Sequence, residues 1–135
     1  HRTFIENALA KARHAARISG LPALADDAGL CVEAFGGLPG VDTAHYATQH
    51  GLPKGDDHNV TALLAQMRDV SDRRAALVST LVALRHADDP EPLVATGRAP
   101  GLITEQRMGE HGFGFDPVMF IPALGKTFAQ LDPAV

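Results

Sequence analysis

The chain has 135 residues, 45% of them apolar, enough for one compact domain with its own core. With 16 acidic residues against 12 basic ones the formal charge is −4, which excludes a broad electrostatic grip on a nucleic-acid backbone. Bound phosphate must therefore be held locally, by a few cations, backbone amides or a metal. Cys31 is the single cysteine, which excludes an intrachain disulfide framework or a thiolate metal cluster and predicts a reducing, cytoplasmic setting. No run of about 18 apolar residues and no charged-then-apolar leader is visible, so neither a membrane partner nor a signal peptide is expected. His1 in place of Met, and the ending Asp132-Pro133-Ala134-Val135, are expected to be cut ends of a single domain spanning 1–135.

Thr3-Phe4-Ile5-Glu6 has the form of a capping box and predicts a helix from about Phe4 to Ser19. Ile5, Ala8, Leu9, Ala12, Ala15 and Ala16 follow helical spacing as its buried stripe, Lys11 and Arg13 fall off it, and Gly20 is the expected left-handed stop. Ala23-Leu24-Ala25 reads as a short buried strand and Leu30, Val32 and Ala34 as alternate positions of a second, with Asp26-Asp27-Ala28-Gly29 between them. The glycine-rich loop Gly36-Gly37-Leu38-Pro39-Gly40 follows.

A second helix is expected from Asp56 or Asp57, burying Val60, Leu63, Leu64 and Met67. Leu77 to Leu84 and Leu93 to Thr96 read as a hairpin across the turn-like Asp88-Asp89-Pro90-Glu91-Pro92. Leu102-Ile103-Thr104 and Val118-Met119-Phe120-Ile121 are further strands, separated by a loop that holds His111 to Pro117. Hairpins mixed with helices predict an α/β or α+β domain: a mixed, twisted β-sheet flanked by helices, without internal repeats.

Three places can carry chemistry. Asp26 and Asp27 project to opposite sides if the strand continues through them, so they are not a matched pair on one substrate. A carboxylate there, beside Gly29, can bind Mg²⁺ or orient a water; an acidic turn capping backbone amides is the alternative. Lys11 is a candidate phosphate cation, or else a solvated surface lysine. In Gly112-Phe113-Gly114-Phe115-Asp116-Pro117, two aromatics around a glycine can offer a ring face to a planar base, with Asp116 accepting from its edge; a core-facing aromatic pair is the competing reading. Leu124-Gly125-Lys126-Thr127 is not a P-loop, because Phe120 stands where that motif requires glycine. No H-E-x-x-H zinc spacing and no G-x-S-x-G nucleophile elbow is present.

In order, these segments resemble the inosine/xanthosine triphosphate pyrophosphatase family. The matching stretches are T-F-I-E-N-A-L-A-K-A-R-H-A-A at Thr3 to Ala16, L-A-D-D-A-G-L at Leu24 to Leu30, G-G-L-P-G-V at Gly36 to Val41, G-F-G-F-D-P at Gly112 to Pro117 and G-K-T-F-A-Q-L at Gly125 to Leu131. The resemblance implies a central nucleotide-binding cleft and Mg²⁺-dependent hydrolysis of non-standard purine nucleoside triphosphates (ITP, dITP, XTP) to monophosphate and pyrophosphate. It assigns the catalytic role and a metal contact to Asp27, an acidic metal-side neighbour to Asp26, and the triphosphate contact to Lys11. Phe113 becomes the ring stacked on the purine, Asp116 the reader of the base edge, and Gly114 and Phe115 their neighbours in that pocket. A homodimer is also implied.

The chain departs from the family pattern at Ala28, where Ser is usual, leaving a backbone contact to substrate. It departs again at His45 in Thr43-Ala44-His45-Tyr46, where Arg is usual, and at Phe115, where Tyr or Trp is common. The family's amino-terminal strand and T/S-G-N-x-x-K loop are expected before His1, and its S-H-R segment after Val135. Two other readings are a pyrophosphatase for other modified nucleotides and a truncated or degenerate purine-nucleotide-binding module without catalysis.

Overall fold

The structure is a computed structural model that describes residues 1–132. Thr3 and Gly20 bound its first element. The Thr3 hydroxyl accepts from the Glu6 amide at 3.2 Å, and Gly20, at φ 68°, donates to the Ala16 carbonyl at 2.9 Å, which closes helix α1 at Phe4–Ser19. The Glu6 carboxylate accepts from the Thr3 hydroxyl at 2.7 Å instead of from the Thr3 amide, so half of the expected capping box forms. Ala8, Ala12 and Ala16 are buried, while Ile5 and Ala15 are exposed; the stripe is narrower than the spacing predicted. Side chains this small bring the helix close to the sheet, where Ala8 and Ala12 pack with Val82 and Leu84.

Strand β1 runs unbroken over Ala23–Val32, where two short strands and a link were expected. Asp26, Asp27, Ala28 and Gly29 pair in register with Leu81, Thr80, Ser79 and Val78 of β2, Arg74–Leu84. A continuous ladder overrides the turn preference of Asp and Gly, because every residue of the supposed link has a cross-strand partner. Nor is the start of the strand buried, since Leu24 is 67% exposed. Ala34 lies in a 3-10 turn, Glu33–Phe35, rather than in the strand.

From residue 33 to 73 the chain leaves the sheet and returns at the same end. The excursion contains Gly36 and Gly37 at positive φ, a cis Leu38–Pro39 peptide, a 3-10 stretch Gly40–His50, and helix α2, Asp56–Gln66. Val60, Leu63 and Met67 are buried as the spacing predicted. Strand β3, Leu93–Ile103, absorbs both Leu93–Thr96 and the Leu102-Ile103 run expected as a separate strand. Most of its side chains are exposed, so no apolar alternation marked its middle. Short strands β4, Met119–Ile121, and β5, Lys126–Thr127, complete the order β1-β2-β3-β4-β5.

The α/β class holds, but every pairing between described strands is antiparallel, which corrects the expected mixed sheet. A parallel neighbour needs a crossover that ends at the opposite end of the sheet. The connections after β2, β3 and β4 contain no α-helix to make one, and the helical excursion 33–73 doubles back.

Two cores follow from strand alternation. Ala25 packs on the α1 side with Val82 and Leu84, whereas Leu30 and Val32, of opposite parity, face Tyr46, Val60, Leu63 and Met67. The sheet is thus covered on one face by α1 and, further along, on the other by the 3-10 stretch and α2. No helix among the described residues is long and apolar enough to cross a membrane.

Candidate active site

Asp27 stands mid-strand on β1, whose other edge is unpaired in the described sheet, and its side chain turns toward α1. Lys11 Nζ donates to Asp27 Oδ1 at 3.3 Å and to the Asp26 carbonyl at 3.2 Å. Asn7 Nδ2 donates to Asp27 Oδ2 at 3.3 Å. Asn7 and Lys11 are one helical turn apart and so share a face of α1, which is why both reach one carboxylate. The Asp27 side chain is 18% exposed and that of Lys11 58%, so a half-hidden carboxylate meets a cation open to solvent.

Asp26 is exposed and points to the other side of β1, as alternation requires. The resemblance's metal-side neighbour of Asp27 therefore carries its carboxylate on the opposite face of the strand. Among the described residues there is no group of three or more His, Cys, Asp or Glu side chains able to enclose a metal.

On the face that carries Ala28 lies a cavity of about 490 Å³. Its floor is Ser79, Gly97 and Ala99, one wall is Thr43, and the other is Phe113, Gly114, Phe115 and Asp116. Five of the residues expected to bind substrate therefore meet at one cavity. Lys11 and Asp27 do not line it; they belong to the opposite face of β1, and the two halves join through the consecutive residues Asp27 and Ala28.

The two aromatics divide the two readings between them. Phe113 is 82% exposed, a free ring face at the cavity, while Phe115 is 3% exposed and meets Tyr46 edge-on, with centroids 6.4 Å apart. Asp116 Oδ2 accepts from the Phe113 amide at 3.0 Å, which folds the loop back on itself. Burial pushes the Asp116 carboxyl above its ordinary range; the Phe113 hydrogen bond draws it down and the nearby Asp56 carboxylate pushes it up.

Several contributors escaped the sequence reading. Asn7 lies inside a matched stretch, and its spacing of four from Lys11 was the available signal. Thr43 Oγ1 accepts from the Leu30 amide at 2.9 Å and lines the cavity. Gly29 permits that approach, because a Cβ there would run into the Gly40 carbonyl and Thr43 Oγ1. Arg98 at the cavity rim lies 3.6 Å from Glu33. A separate hollow of about 440 Å³ near Arg68, Arg73 and Arg107 contains none of the expected residues. There the Arg73 guanidinium is committed to the carbonyls of Met67, Val70, Ile103 and Thr104.

Comparison with known proteins places the chain in a family. The chain is 72% identical over 131 residues to the dITP/XTP pyrophosphatase of Albidiferax ferrireducens, covering 97% of this chain and 66% of that protein. It is 68% identical over 135 residues to the dITP/XTP pyrophosphatase of Delftia acidovorans, covering all of this chain and 68% of the relative. Among solved structures, a HAM1 protein from Coxiella burnetii superposes with a TM-score of 0.93 at 40% identity, over 99% of this chain and 68% of that one. The dITP/XTP pyrophosphatase of Mycobacterium abscessus gives 0.85 at 37% identity, over 99% and 67%. The chain thus spans about two thirds of the length of these relatives. The Ham1 family model matches residues 1–135, and the chain belongs to the Ham1 family.

Proposed function

We propose that the chain hydrolyses non-standard purine nucleoside triphosphates, dITP, ITP and XTP, to the monophosphate and pyrophosphate, clearing them from the nucleotide pool. The observation that carries this reading is the adjacency of Asp27 and Ala28 on β1. One turns to a carboxylate–lysine–asparagine cluster suited to phosphate, the next to a cavity with a free aromatic face suited to a purine.

In this reading the purine stacks on Phe113, bounded by Gly114, Phe115 and Asp116, and Ala28 offers its backbone. The triphosphate extends to Lys11, whose ammonium offsets phosphate charge. Asp27 accepts the proton of a water whose oxygen forms a bond to the α-phosphorus. The α–β bridging P–O bond breaks and pyrophosphate leaves. Asn7 and Lys11 hold the Asp27 carboxylate in place for that transfer.

Mg²⁺ suits this donor set. It is commonly held by one or two carboxylates together with substrate phosphates and water, and Asp27 supplies hard oxygens at a half-buried position. When bound it would neutralise phosphate charge and align the reacting groups. The Asp26 backbone carbonyl accepts from Lys11 at 3.2 Å and so helps to place the ammonium. The family resemblance supports a homodimer as the working assembly.

Product analysis tests the reaction. dITP supplied with Mg²⁺ should give dIMP and pyrophosphate in equal amounts. Orthophosphate with dIDP would replace the proposed cleavage by γ-phosphate hydrolysis, and dITP binding without turnover would leave a nucleotide-binding module.

A further inference from the structure

The ring offered to the base has little packing to hold it. Phe113 is 82% exposed, so its direction is set by the backbone on either side, where Gly112 and Gly114 stand at φ 78° and 59°. Glycine tolerates these angles but does not enforce them. The Phe113 amide bonds locally to Asp116 Oδ2 at 3.0 Å, and the Asp116 amide returns to the Phe113 carbonyl at 3.1 Å.

The next amide is held from far away. Gly114 N donates to Asp56 Oδ2 at 3.0 Å, across 58 residues of sequence. Among the described residues, this is the hydrogen bond that joins the backbone of 112–116 to another element. Asp56 opens α2 but does not cap it: the N-cap position is Gly55, which has no side-chain cap. Its carboxylate serves the aromatic loop. The preceding segment is moored to the same turn of α2, where Arg107 Nη2 donates to the Asp57 carbonyl at 2.9 Å and to Thr61 Oγ1 at 2.7 Å.

We propose that Asp56 is a positioning residue for base recognition: by accepting from the Gly114 amide it fixes the backbone that aims Phe113, and so sets affinity for the purine without touching the phosphate chemistry. This rests on the reading of Phe113 as the purine platform. Fixing a mobile recognition group before binding lowers the ordering cost of the complex.

The test compares Asp56→Ala and Asp56→Asn with the wild-type protein. Asp56→Asn removes the same negative charge from the helix start and so controls for that loss. Asp56→Ala should raise KM for dITP roughly fivefold to tenfold, the scale of the net contribution of one hydrogen bond, and change kcat less than about twofold. Inhibition by inorganic tripolyphosphate, which has no base, should be unchanged. Asp56→Asn, whose amide oxygen can still accept, should recover most of the affinity.

An unchanged KM in Asp56→Ala, or tripolyphosphate affinity falling in parallel, would overturn the proposal. The Gly114 amide proton resonance reads the bond independently of turnover. It should shift upfield in Asp56→Ala and stay near its wild-type position in Asp56→Asn; equal resonances in all three proteins would remove the clamp. A wild-type protein that turns over no purine triphosphate would instead count against the hydrolase reading, while that resonance still decides whether the clamp exists.

Discussion

Lys11 and Asp27 form a bridge from helix α1 to the middle of strand β1, with Nζ 3.3 Å from Oδ1 and 3.2 Å from the preceding carbonyl. At an exposure of 58% for the lysine, the pair is worth less than about 1 kcal/mol of stability. Lys11→Met should therefore leave Tm nearly unchanged while raising KM for the triphosphate roughly tenfold or more. Asn7→Ala releases the other carboxylate oxygen and should lower kcat roughly threefold to tenfold. Steady-state kinetics beside thermal melts would separate these effects from loss of fold.

Phe113 and Phe115, two residues apart, should fail in different ways. Phe115 is buried against Tyr46, so Phe115→Ala should cost about 3–5 kcal/mol of stability. Phe113→Ala should melt like the wild type yet bind dITP more weakly by about 1–3 kcal/mol, the scale of one base–aromatic stack. Denaturant unfolding and dITP titration on both variants would check the division.

Gly29 is closed to any side chain. An added Cβ would meet the Gly40 carbonyl and Thr43 Oγ1, and would lie 3.0 Å from Phe4 Cε1, so backbone as well as side chains must move. Gly29→Ala should destabilise the protein by about 1–3 kcal/mol, as overpacking does elsewhere, and disturb the cavity wall at Thr43. Chemical denaturation gives the first quantity, and the dITP affinity the second.

Asp89, buried in the β2–β3 connection, accepts from Arg85 Nε at 3.0 Å, Arg85 Nη2 at 2.8 Å and the Glu91 amide at 2.9 Å. The Arg85 side chain, with backbone amides, holds this carboxyl well below the ordinary carboxylate range. A carboxyl lowered on folding contributes stability above its unfolded pKa, near 3.9, and loses it as pH falls toward the folded value. The stability advantage of the wild type over Asp89→Asn should stay constant from neutral pH to about pH 5 and shrink below about pH 4. Equilibrium unfolding of the two proteins across that range measures it.

How far the fold was legible depends on the distance over which each signal acts. The limits of α1 were readable because Thr3 and Gly20 act within a turn of the helix. The glycines at 36, 37 and 40 marked a loop by the same local logic. Asp26-Asp27-Ala28-Gly29 misled, because its turn preference is local while the β2 ladder that straightens it comes from residues 78–81. Strand β3 was hidden in its middle by exposure on both faces.

At the site, the order of motifs brought Ala28 and the 113–116 loop to one cavity in anticipation. Strand parity already implied that Asp26 and Asp27 part company. What could not be read was anything joined across the fold: Thr43 against Leu30, or Asp56 on Gly114. No local pattern records which carboxylate a distant amide will find.

We propose that Asp27, held by Lys11 and Asn7, is the carboxylate that moves the proton, and that its neighbour Asp26 is not. Pyrophosphate release from dITP with Mg²⁺, measured for the wild type, Asp27→Asn and Asp26→Asn, tests it most directly. Asp27→Asn should lose roughly 100- to 10,000-fold in kcat, the range expected for a general base, and Asp26→Asn should turn over near the wild-type rate. Equal losses in both variants, or an Asp27→Asn protein that turns over normally, would contradict it.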